Sequence, residues 1–543
     1  MAPSPSSYIC LNCRRAPQST LYQLKLRRNF STTQHNHQIL RPATAPKPTP
    51  DIKHIRQNIE RYAQNCIERN YAAHAEYPSR IQALSEETRQ LDHDLKTPRS
   101  RIKQLEKTIA KLSIAARAKT DTDASSEQSQ SAEPESESDL TALKAEAQRL
   151  KDDSANMTAR KATCTEELNR LALSLPNLSS PETPIGNTPA LIRYINFNPS
   201  TPASWSTQSK ESLQSRSHVS IGTSLGLLDF TSSATTTGWG WYFLINEGAM
   251  LEQALIQYAL SVARRRAWKP VSPPSIVYSY IAEACGFQPR DQHNEQQIWS
   301  IEQSERDRDI KPQRSLTGTA EIPLAAMYAG RDINAAELPV KLVGASRCYR
   351  AEAGSRGVDT KGLYRVHEFT KVELFGWTDN ASESSSKSSD DLFAELLEIQ
   401  TEILTSLSLP CRVLEMPTGD LGASATRKRD IEALFPSRFR PGVVDESVEV
   451  VDFEAKDLES AWGEVTSASI CTDYQSRRLA TRVRGGSAKE SRFPHTVNGT
   501  AMAVPRVLAA ILENGFDPER GVVVVPEVLR PWMDGMETIG GKS

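Results

Sequence analysis

The sequence predicts an α+β protein in which a long antiparallel helical coiled coil precedes a domain organised around antiparallel strands. Apolar residues recur every three or four positions over much of residues 52–171, which is the spacing of coiled-coil helices. Within residues 346–377, two stretches alternate in the manner of β-strands and flank GSRGVD, whose glycines suit a hairpin turn. The chain has 543 residues and a formal net charge of -2, so it is long enough for several domains and its charge indicates no particular partner.

The first 50 residues contain seven Lys or Arg and no Asp or Glu. This composition is typical of a mitochondrial transit peptide, with RRNFST at 27–32 resembling a processing site, although a disordered basic tail is the alternative. We therefore expect the mitochondrial matrix, and leave a cytoplasmic form open. Eight scattered cysteines with one CxxC pair favour neither a zinc site nor a disulfide framework. No apolar run approaches the roughly eighteen residues of a membrane helix, so we expect no membrane partner.

Residues 51–175 are predicted to form an N-terminal helical arm. Heptad-spaced apolar residues run from Ile81 to Leu112 and resume from Leu140 to Leu171. Pro98 should kink or interrupt the first helix, because proline has no amide hydrogen to donate. Residues 120–139 are acidic and serine-rich without an apolar period, which predicts a disordered insertion. The two helices should therefore fold back as an antiparallel coiled coil.

Basic residues dominate one part of the first arm helix. Between Lys96 and Lys119 there are eight basic residues, and Glu106 is the only acid. Four of the basic residues recur every four positions and so lie along one stripe of a helix. They are Arg99, Lys103, Lys107 and Lys111. Such a stripe can neutralise an RNA backbone without reading its sequence, and the alternative is a solvated coiled-coil exterior.

Residues 176–220 are polar and contain prolines, which predicts a linker before a domain at 221–543. That domain contains a helix-like stretch, EGAMLEQALIQYALSVARRRAW, which precedes VSPPSIV. Pro273 and Pro274 are a stop signal for the helix. Further on, residues 438–462 form a long acidic loop whose path the sequence leaves open.

The predicted hairpin at 346–377 presents an unusual set of side chains on one face. Side chains two apart on a strand share a face, so Arg350 and Glu352 point the same way. On the second strand the same face carries Arg365, His367, Phe369, Lys371 and Glu373, while Val366, Val372 and Leu374 face the other way. Arginine suits phosphate oxygens, an aromatic ring can stack on a base, and a carboxylate accepts from an amino group. The face therefore suits a nucleotide and an amine, although cross-strand ion pairs are the alternative.

The order of several motifs resembles one family. RAEAG, DTKGL and RVHEFTKVEL are similar to motif 2 of the class II aminoacyl-tRNA synthetases, in the form found in seryl-tRNA synthetases. Upstream, TGTAEIPL at 317–324 resembles the serine-binding TxE motif of that family. Downstream, GEVTSASICTDYQSRR at 463–478 and HTVNGTAMAVPR at 495–506 resemble the remaining ATP-binding strand and motif 3. The helix and prolines near residue 273 resemble motif 1, which implies a homodimer.

The resemblance implies a class II catalytic domain, an antiparallel sheet flanked by helices, and a role for individual residues. Arg350, Arg506 and Glu464 would be catalytic, with Mg²⁺ at Glu464 assisted by Glu352. Serine would be bound by Thr319, Ala320, Glu321, Arg350, Glu373, Asn498 and Thr500, with its ammonium on either Glu321 or Glu373. ATP would be bound by Arg350, Ala351, Glu352, Arg365, Val366, Phe369, Glu464, Val465, Thr466, Ser467 and Arg506. Thr319 and Glu321 are expected on one side of a strand, and Arg506 on a largely apolar helix that ends near Gly515.

By resemblance, the chain would activate L-serine with ATP and transfer it to tRNA(Ser) for mitochondrial translation, with no DNA partner. The basic stripe would then hold the tRNA, as the helical arm does in the family. Two alternatives stay open: a catalytically inactive synthetase paralogue that acts as an RNA-binding or interaction protein, and amino-acid activation without tRNA or onto a carrier protein. Retention of both arginines and of Glu321 disfavours the first, and the basic arm disfavours the second.

Overall fold

The computed structural model describes residues 41–122, 135–201, 210–287, 297–352, 362–379, 388–439, 455–485 and 491–541. The predicted transit peptide therefore lies outside the described residues up to residue 40, as do the middle of the 120–139 insertion and the 440–454 part of the acidic loop. Residues 41–50 contact the rest of the chain. The Thr49 amide donates to the Arg477 carbonyl at 2.9 Å, and the Arg41 guanidinium lies 4.9 Å from the centre of the Tyr280 ring.

Within its described residues, the arm contains five α-helices. They are α1 (Ile52–Gln57), α2 (Ile59–Glu68), α3 (Tyr77–Asp94), α4 (Lys96–Thr122) and α5 (Glu135–Ser174). Helices α3 and α4 pack in succession along α5, and ion pairs show that the direction is antiparallel: Glu87 meets Arg160 at 2.6 Å, whereas Arg101 meets Glu146 at 2.9 Å. Among the described residues, no helix combines the length and the hydropathy needed to cross a bilayer.

The predicted interruption of the first arm helix at Pro98 is confirmed. Helix α3 ends at Asp94 and α4 begins at Lys96, so that Pro98 lies in the first turn of α4. Proline is tolerated there because the first-turn amides have no partner within the helix. Leu95 at the junction is 1% exposed, and its amide donates to the Leu91 carbonyl at 3.0 Å. The break between the two helices therefore lies at a buried leucine.

The segment predicted as a linker contains regular structure. The elements from here to the long catalytic helix are β1 (Ala190–Ile195), α6 (Lys210–Ser215), α7 (His218–Ser224), β2 (Leu228–Asp229), α8 (Phe230–Thr236) and β3 (Phe243–Leu244). Strand β1 is the edge strand of the large sheet rather than part of a linker. Its sequence lacks the apolar–polar alternation of a strand with one buried face. The adjacent side chains of Leu191 and Ile192 are both about half exposed, at 49% and 46%. An edge strand with two accessible faces leaves no period-two pattern.

The domain that follows the arm continues with a long helix and most of the large sheet. Its next elements are α9 (Glu247–Arg265), β4 (Lys269–Val271), β5 (Ile276–Tyr278), α10 (Ser279–Ala284), α11 (Glu305–Arg308), β6 (Arg314–Leu316), α12 (Glu321–Ala326), β7 (Asp332–Asn334), β8 (Val340–Tyr349), β9 (Glu368–Thr378) and α13 (Ser389–Ser406). The remainder are β10 (Cys411–Glu415), β11 (Arg427–Leu434), β12 (Trp462–Thr472), α14 (Tyr474–Leu479), β13 (Arg482–Arg484), β14 (His495–Ala503), α15 (Val504–Asn514), β15 (Phe516–Asp517), β16 (Val522–Val524) and β17 (Thr538–Gly540). The predicted helix before the two prolines is α9, and the predicted apolar helix is α15, which starts only after strand β14.

An eight-stranded sheet organises this domain in the order β1-β10-β11-β12-β14-β9-β8-β4. Every neighbouring pair is antiparallel except β4 and β8. Helices α9, α13 and α15 pack on one face of its central strands, where Val372 and Leu374 of β9 are both 0% exposed. The other face of those strands is therefore left for polar side chains. The expected α+β class is confirmed.

Candidate active site

The predicted hairpin forms, but its strands end further from the turn than the sequence predicts, because β8 stops at Tyr349 and β9 begins only at Glu368. Strands β8 and β9 pair from Val340 opposite Trp377 to Tyr349 opposite Glu368. Arg350, Glu352, Arg365 and His367 thus lie just beyond the strand ends, and the turn at 353–361 lies outside the described residues.

The alternation of faces fails beyond the ends of the strands. His367 does not share the face of Phe369, because its ring packs among tryptophans, and Val366 lines the same pocket as Phe369 instead of facing away. Strand alternation requires extended, paired backbone, and Glu352 already has a φ of +50°. Within β9 itself the prediction holds, since Phe369 and Lys371 face the pocket while Val372 faces the core.

One pocket on the open face of the sheet gathers most of the residues predicted to bind ATP. Its lining includes Arg350, Glu352, Arg365, Val366, Phe369, Glu464, Val465, Thr466, Ser467 and Arg506, and also Tyr364, Lys371 and Thr500. The Arg350 guanidinium lies 5.3 Å from the centre of the Phe369 ring, and its Nε donates to the Gly318 carbonyl at 3.4 Å. At the mouth, Arg365 and Glu352 form an ion pair of 3.0 Å. Ala351 is not part of this lining; its amide donates to the Gln297 carbonyl at 3.2 Å.

Arg506 is held rigidly beside Glu464. Its Nε donates to the Tyr364 carbonyl at 3.0 Å, and its Nη1 donates to both the carbonyl and the carboxylate of Glu464, at 2.9 and 3.0 Å. Burial raises the pKa of Glu464, but the positive charges of Arg506 and Lys428 outweigh it and bring this pKa down to about 2. The pocket therefore contains a fixed guanidinium beside a carboxylate that stays ionised.

A second group of polar residues, the Glu321 cluster (Thr319, Glu321, Glu373, Gln475 and Asn498), lies next to this pocket and is buried. The Glu321 Oε1 accepts from Gln475 Nε2 at 2.6 Å and from Asn498 Nδ2 at 2.8 Å. The Glu373 Oε2 accepts from Thr319 Oγ1 at 3.2 Å, and Lys371 Nζ lies 2.5 Å from the same oxygen. Burial and the charge of Glu373 raise the pKa of Glu321 to about 8. Glu373 is neutralised by a lysine, whereas both bonds to Glu321 come from neutral amides.

The prediction that Thr319 and Glu321 share a strand face is wrong. Strand β6 ends at Leu316, and Glu321 is the first residue of helix α12. Pro323 falls in the first turn of that helix, a position that proline favours. The two side chains are brought together by a turn, in which the Glu321 amide donates to Thr319 Oγ1 at 3.2 Å. Ala320 precedes the helix and is 0% exposed.

Comparison with known proteins gives this geometry a family. The model of the tRNA synthetase class II core domain (G, H, P, S and T) matches residues 303–515, and the model of the seryl-tRNA synthetase N-terminal domain matches residues 50–179. The mitochondrial serine–tRNA ligase of Saccharomyces cerevisiae is 35% identical over 495 residues, which cover 91% of this chain and 96% of that protein. The chain belongs to the seryl-tRNA synthetases.

Further relatives agree with this assignment. The mitochondrial serine–tRNA ligase of Schizosaccharomyces pombe is 36% identical over 89% of this chain and 88% of its own length. Among solved structures, the seryl-tRNA synthetase of Pyrococcus horikoshii in complex with ATP aligns with a TM-score of 0.67 at 27% identity, covering 91% of this chain and all of that one. The cytoplasmic serine–tRNA ligase of Naegleria fowleri in complex with AMP aligns with a TM-score of 0.69 at 25% identity, covering 91% and 99%. Two solved structures therefore support the class II fold of this seryl-tRNA synthetase.

Several residues at the site of this seryl-tRNA synthetase escaped the sequence analysis. Gln475 lies on helix α14, far along the chain from Glu321. It falls within the stretch at 463–478 that resembles the ATP-binding strand, but no role was predicted for its side chain. Lys428 pairs with Asp430 at 2.7 Å, and its charge lowers the pKa of Glu464, an effect that depends on strand register. Lys371 lies on the predicted face of β9 beside Phe369, but the sequence did not indicate its pairing with Glu373. Thr500, predicted to bind serine, lines the pocket of Arg350 instead, although its carbonyl also accepts from Gln400 Nε2 at 2.9 Å.

The pKa values of Glu321 and Glu464 are shifted in opposite directions, so we expect opposite effects of pH on the stability of this seryl-tRNA synthetase. Folded Glu321 keeps a proton that an ordinary glutamate loses near pH 4.5, so its stabilising contribution is complete below 4.5 and is lost as the pH rises through about 8. Folded Glu464 contributes above pH 4.5, and its contribution is lost as the pH falls towards about 2. The wild type should therefore lose stability between pH 5.5 and 7.5, whereas Glu321→Gln should not. The difference in free energy of unfolding, variant minus wild type, should rise by on the order of 1 kcal/mol per pH unit.

This effect is measured by urea unfolding of both proteins at each pH. The exposed Glu337→Gln is the matched control, and its difference from the wild type should not change with pH. A difference between wild type and Glu321→Gln that is the same at both pH values would contradict the assigned protonation of Glu321.

Proposed function

We propose that this chain activates L-serine with ATP to seryl-adenylate and transfers the seryl group to the 3′ end of tRNA(Ser), in the mitochondrial matrix. Family membership supports the reaction, and the relatives in two yeasts and in Mus musculus that are named as mitochondrial ligases support the location. The observation that carries the proposal is the adjacency of two sites. A buried carboxyl that two amides orient lies beside a pocket with two fixed arginines and an ionised glutamate.

The Glu321 cluster suits the amino acid. The ammonium group of serine would bind the Glu321 carboxylate, because Glu373 is already neutralised by Lys371 at 2.5 Å. An ammonium in that position favours the ionised form of Glu321, so binding should release the proton that burial retains. The Thr319 and Asn498 side chains lie within reach of the same carboxylates and can contact the serine hydroxyl. We therefore propose Glu321 for the role that the sequence left open between two glutamates.

The neighbouring pocket suits ATP. Phe369 would stack on the adenine, while Arg350 and Arg506 would bind phosphate oxygens with their planar forks of donors. The serine carboxylate then attacks the α-phosphorus in line, a carboxyl–phosphate bond forms, and the bond to pyrophosphate breaks. Fixed charge and orientation supply the catalysis, since no protein nucleophile is needed. The terminal ribose hydroxyl of the tRNA attacks the adenylate next, and AMP leaves.

The residues present also suit Mg²⁺ bound together with ATP. Among the described residues, no group of three or more His, Cys, Asp or Glu could hold a metal by itself. Glu464 nevertheless offers a carboxylate that stays ionised, with the Ser467 hydroxyl lining the same pocket. Mg²⁺ is commonly held by one or two carboxylates and substrate phosphates. Glu464 would be its ligand, with Glu352 at the mouth, and the ion would neutralise charge on the phosphates.

The basic stripe on α4 is proposed to bind the tRNA backbone. Arg99, Lys103, Lys107 and Lys111 are all exposed on that helix, and no ion pair among the described residues engages the three lysines. Lys103→Glu with Lys107→Glu should raise the KM for tRNA about tenfold or more at low salt, because two phosphate contacts become repulsive. Serine-dependent ATP–pyrophosphate exchange should stay normal.

The matched control for the stripe is Lys47→Glu with Lys53→Glu, which reverses the charge of two exposed lysines outside α4. Aminoacylation is measured at several salt concentrations for both double variants. Equal effects of the two pairs would show that net charge matters rather than the stripe.

The defining experiment is ATP–pyrophosphate exchange with each of the twenty amino acids. The protein should begin at residue 41, because residues 41–50 contact the catalytic domain through Thr49 and Arg41. Exchange with serine alone, followed by charging of tRNA(Ser), is the expected result. A folded protein that exchanges with no amino acid would favour the inactive, RNA-binding paralogue. The same preparation tests the proposed homodimer, in which α9 and β4 would form the interface, by light scattering.

A further inference from the structure

Three tryptophans surround one histidine at the edge of the catalytic domain. The ring centres of Trp239, Trp241 and Trp299 lie 5.8, 5.8 and 6.0 Å from that of His367. We call these four residues the aromatic rim. Trp239 and Trp299 meet the imidazole edge to face, at 80° and 84°, which is a favourable arrangement of aromatic rings. The rim is therefore a packed unit assembled from three separate parts of the chain.

The aromatic rim is attached directly to Arg350 of the ATP pocket. The Arg350 amide donates to the His367 carbonyl at 2.9 Å, and His367 Nδ1 lies 3.0 Å from the Arg350 carbonyl. A carbonyl oxygen can only accept, so Nδ1 carries the hydrogen. The His367 amide in turn donates to the Gly240 carbonyl at 2.9 Å, which ties the tryptophan loop to the same point.

Gly240 shows how closely this loop approaches the histidine. Its φ is +85°, and a Cβ at this position would lie 2.4 Å from His367 Cδ2. Only glycine allows that conformation and that contact. The rim is thus held against the ATP pocket by backbone geometry, not by loose side-chain contact.

Two tryptophans of the rim are exposed to solvent, although tryptophan is highly buried on average. Trp239 is 61% exposed and Trp299 is 37% exposed. A rim that served only to support Arg350 would need no exposed indole surface. Exposed, immobilised aromatic rings are the surface on which unpaired nucleic-acid bases stack, and such stacking tolerates any base.

The reaction requires unpaired RNA at this place. In the proposed function, the terminal ribose of the tRNA must reach the adenylate next to Arg350, so the nucleotides before it must pass close to Arg350, to which the aromatic rim is hydrogen-bonded. We propose that Trp239 and Trp299 stack on unpaired bases at the 3′ end of the tRNA and position its terminal ribose at the pocket mouth. This inference rests on the proposed function, which it deepens by naming the surface that receives the tRNA end.

The test uses Trp239→Ala with Trp299→Ala in the chain that begins at residue 41. The double variant should keep the wild-type rate of serine-dependent ATP–pyrophosphate exchange. Its KM for tRNA in aminoacylation should rise roughly tenfold to a hundredfold, as expected for the loss of one or two stacked bases. Trp239→Phe with Trp299→Phe should restore most of the loss, because a phenyl ring also stacks. Trp532→Ala, at an exposed tryptophan in another part of the chain, is the matched control.

A direct reading comes from tryptophan fluorescence. A single-stranded RNA that ends in the sequence of the tRNA 3′ end should quench wild-type fluorescence, and the double alanine variant should show less of this quenching. Unchanged KM for tRNA and unchanged quenching would overturn the inference. A second result would also overturn it: a normal KM for tRNA in an alanine variant that light scattering shows to be a smaller species than the wild type. That result would make the rim part of a contact with a second copy, together with the nearby Phe243 and Ile245, which are 44% and 37% exposed. Absence of serine-dependent exchange in the wild type would instead count against the proposed function.

Discussion

Arg506→Ala should lower the rate of serine-dependent ATP–pyrophosphate exchange by about a hundredfold to a thousandfold. The guanidinium is oriented by the Tyr364 carbonyl at 3.0 Å and by Glu464 at 2.9 and 3.0 Å, so it is ready to meet phosphate charge without reorganising. Its removal also deprives Glu464 of the largest charge that lowers its pKa, which should weaken the site for Mg²⁺. The loss should fall mainly on the rate of the chemical step, because the charge that Arg506 offsets develops there.

Two comparisons make this result specific. Arg506→Lys retains the positive charge but not the planar fork, and it should recover only part of the rate. Arg520→Ala removes an exposed arginine that pairs with Asp517 at 3.9 Å, and it should leave exchange unchanged. Thermal unfolding of each variant separates lost catalysis from lost folding. Near-normal exchange in folded Arg506→Ala would remove this residue from the site.

Glu321→Gln should raise the KM for serine about a hundredfold, with little change in the KM for ATP. The amide has nearly the same shape and can keep its contacts with Gln475 and Asn498, so the change removes charge rather than packing. A buried ammonium without its carboxylate loses a charge-assisted hydrogen bond and remains desolvated, which costs roughly 3 kcal/mol. Exchange measured over a range of serine concentrations gives both constants.

Glu283→Gln is the matched control for this prediction. Burial raises the pKa of Glu283 to about 7, and its partner is Arg41 rather than any residue of the Glu321 cluster. Its serine KM should therefore equal that of the wild type. If Glu321→Gln and Glu283→Gln raised the KM for serine equally, the effect would reflect a general loosening of the domain and not a lost contact with the ammonium.

Strand and helix patterns predicted elements wherever local periodicity and packing agreed. The antiparallel pairing of β8 with β9, the helix α9 before its prolines and the interruption at Pro98 all follow from short-range spacing or from the chemistry of proline. The pattern failed at Val366, His367 and Thr319, where the chain leaves regular structure to form a site. At such places, turns and tertiary contacts rather than pleat alternation decide where a side chain points.

The amino-acid sequence by itself determined the class, the family resemblance and the identity of most residues that line the pocket of Arg350, because these depend on residue types in a fixed order. Only the tertiary structure decided how the charges are shared. It pairs Lys371 with Glu373, whereas Glu321 accepts from two amides. It also brings the charge of Lys428 close enough to lower the pKa of Glu464, and it packs Trp299 against His367. Each of these contacts joins separate parts of the fold through strand register or loop path. Such contacts leave no local period, so they become visible only when the sheet is assembled.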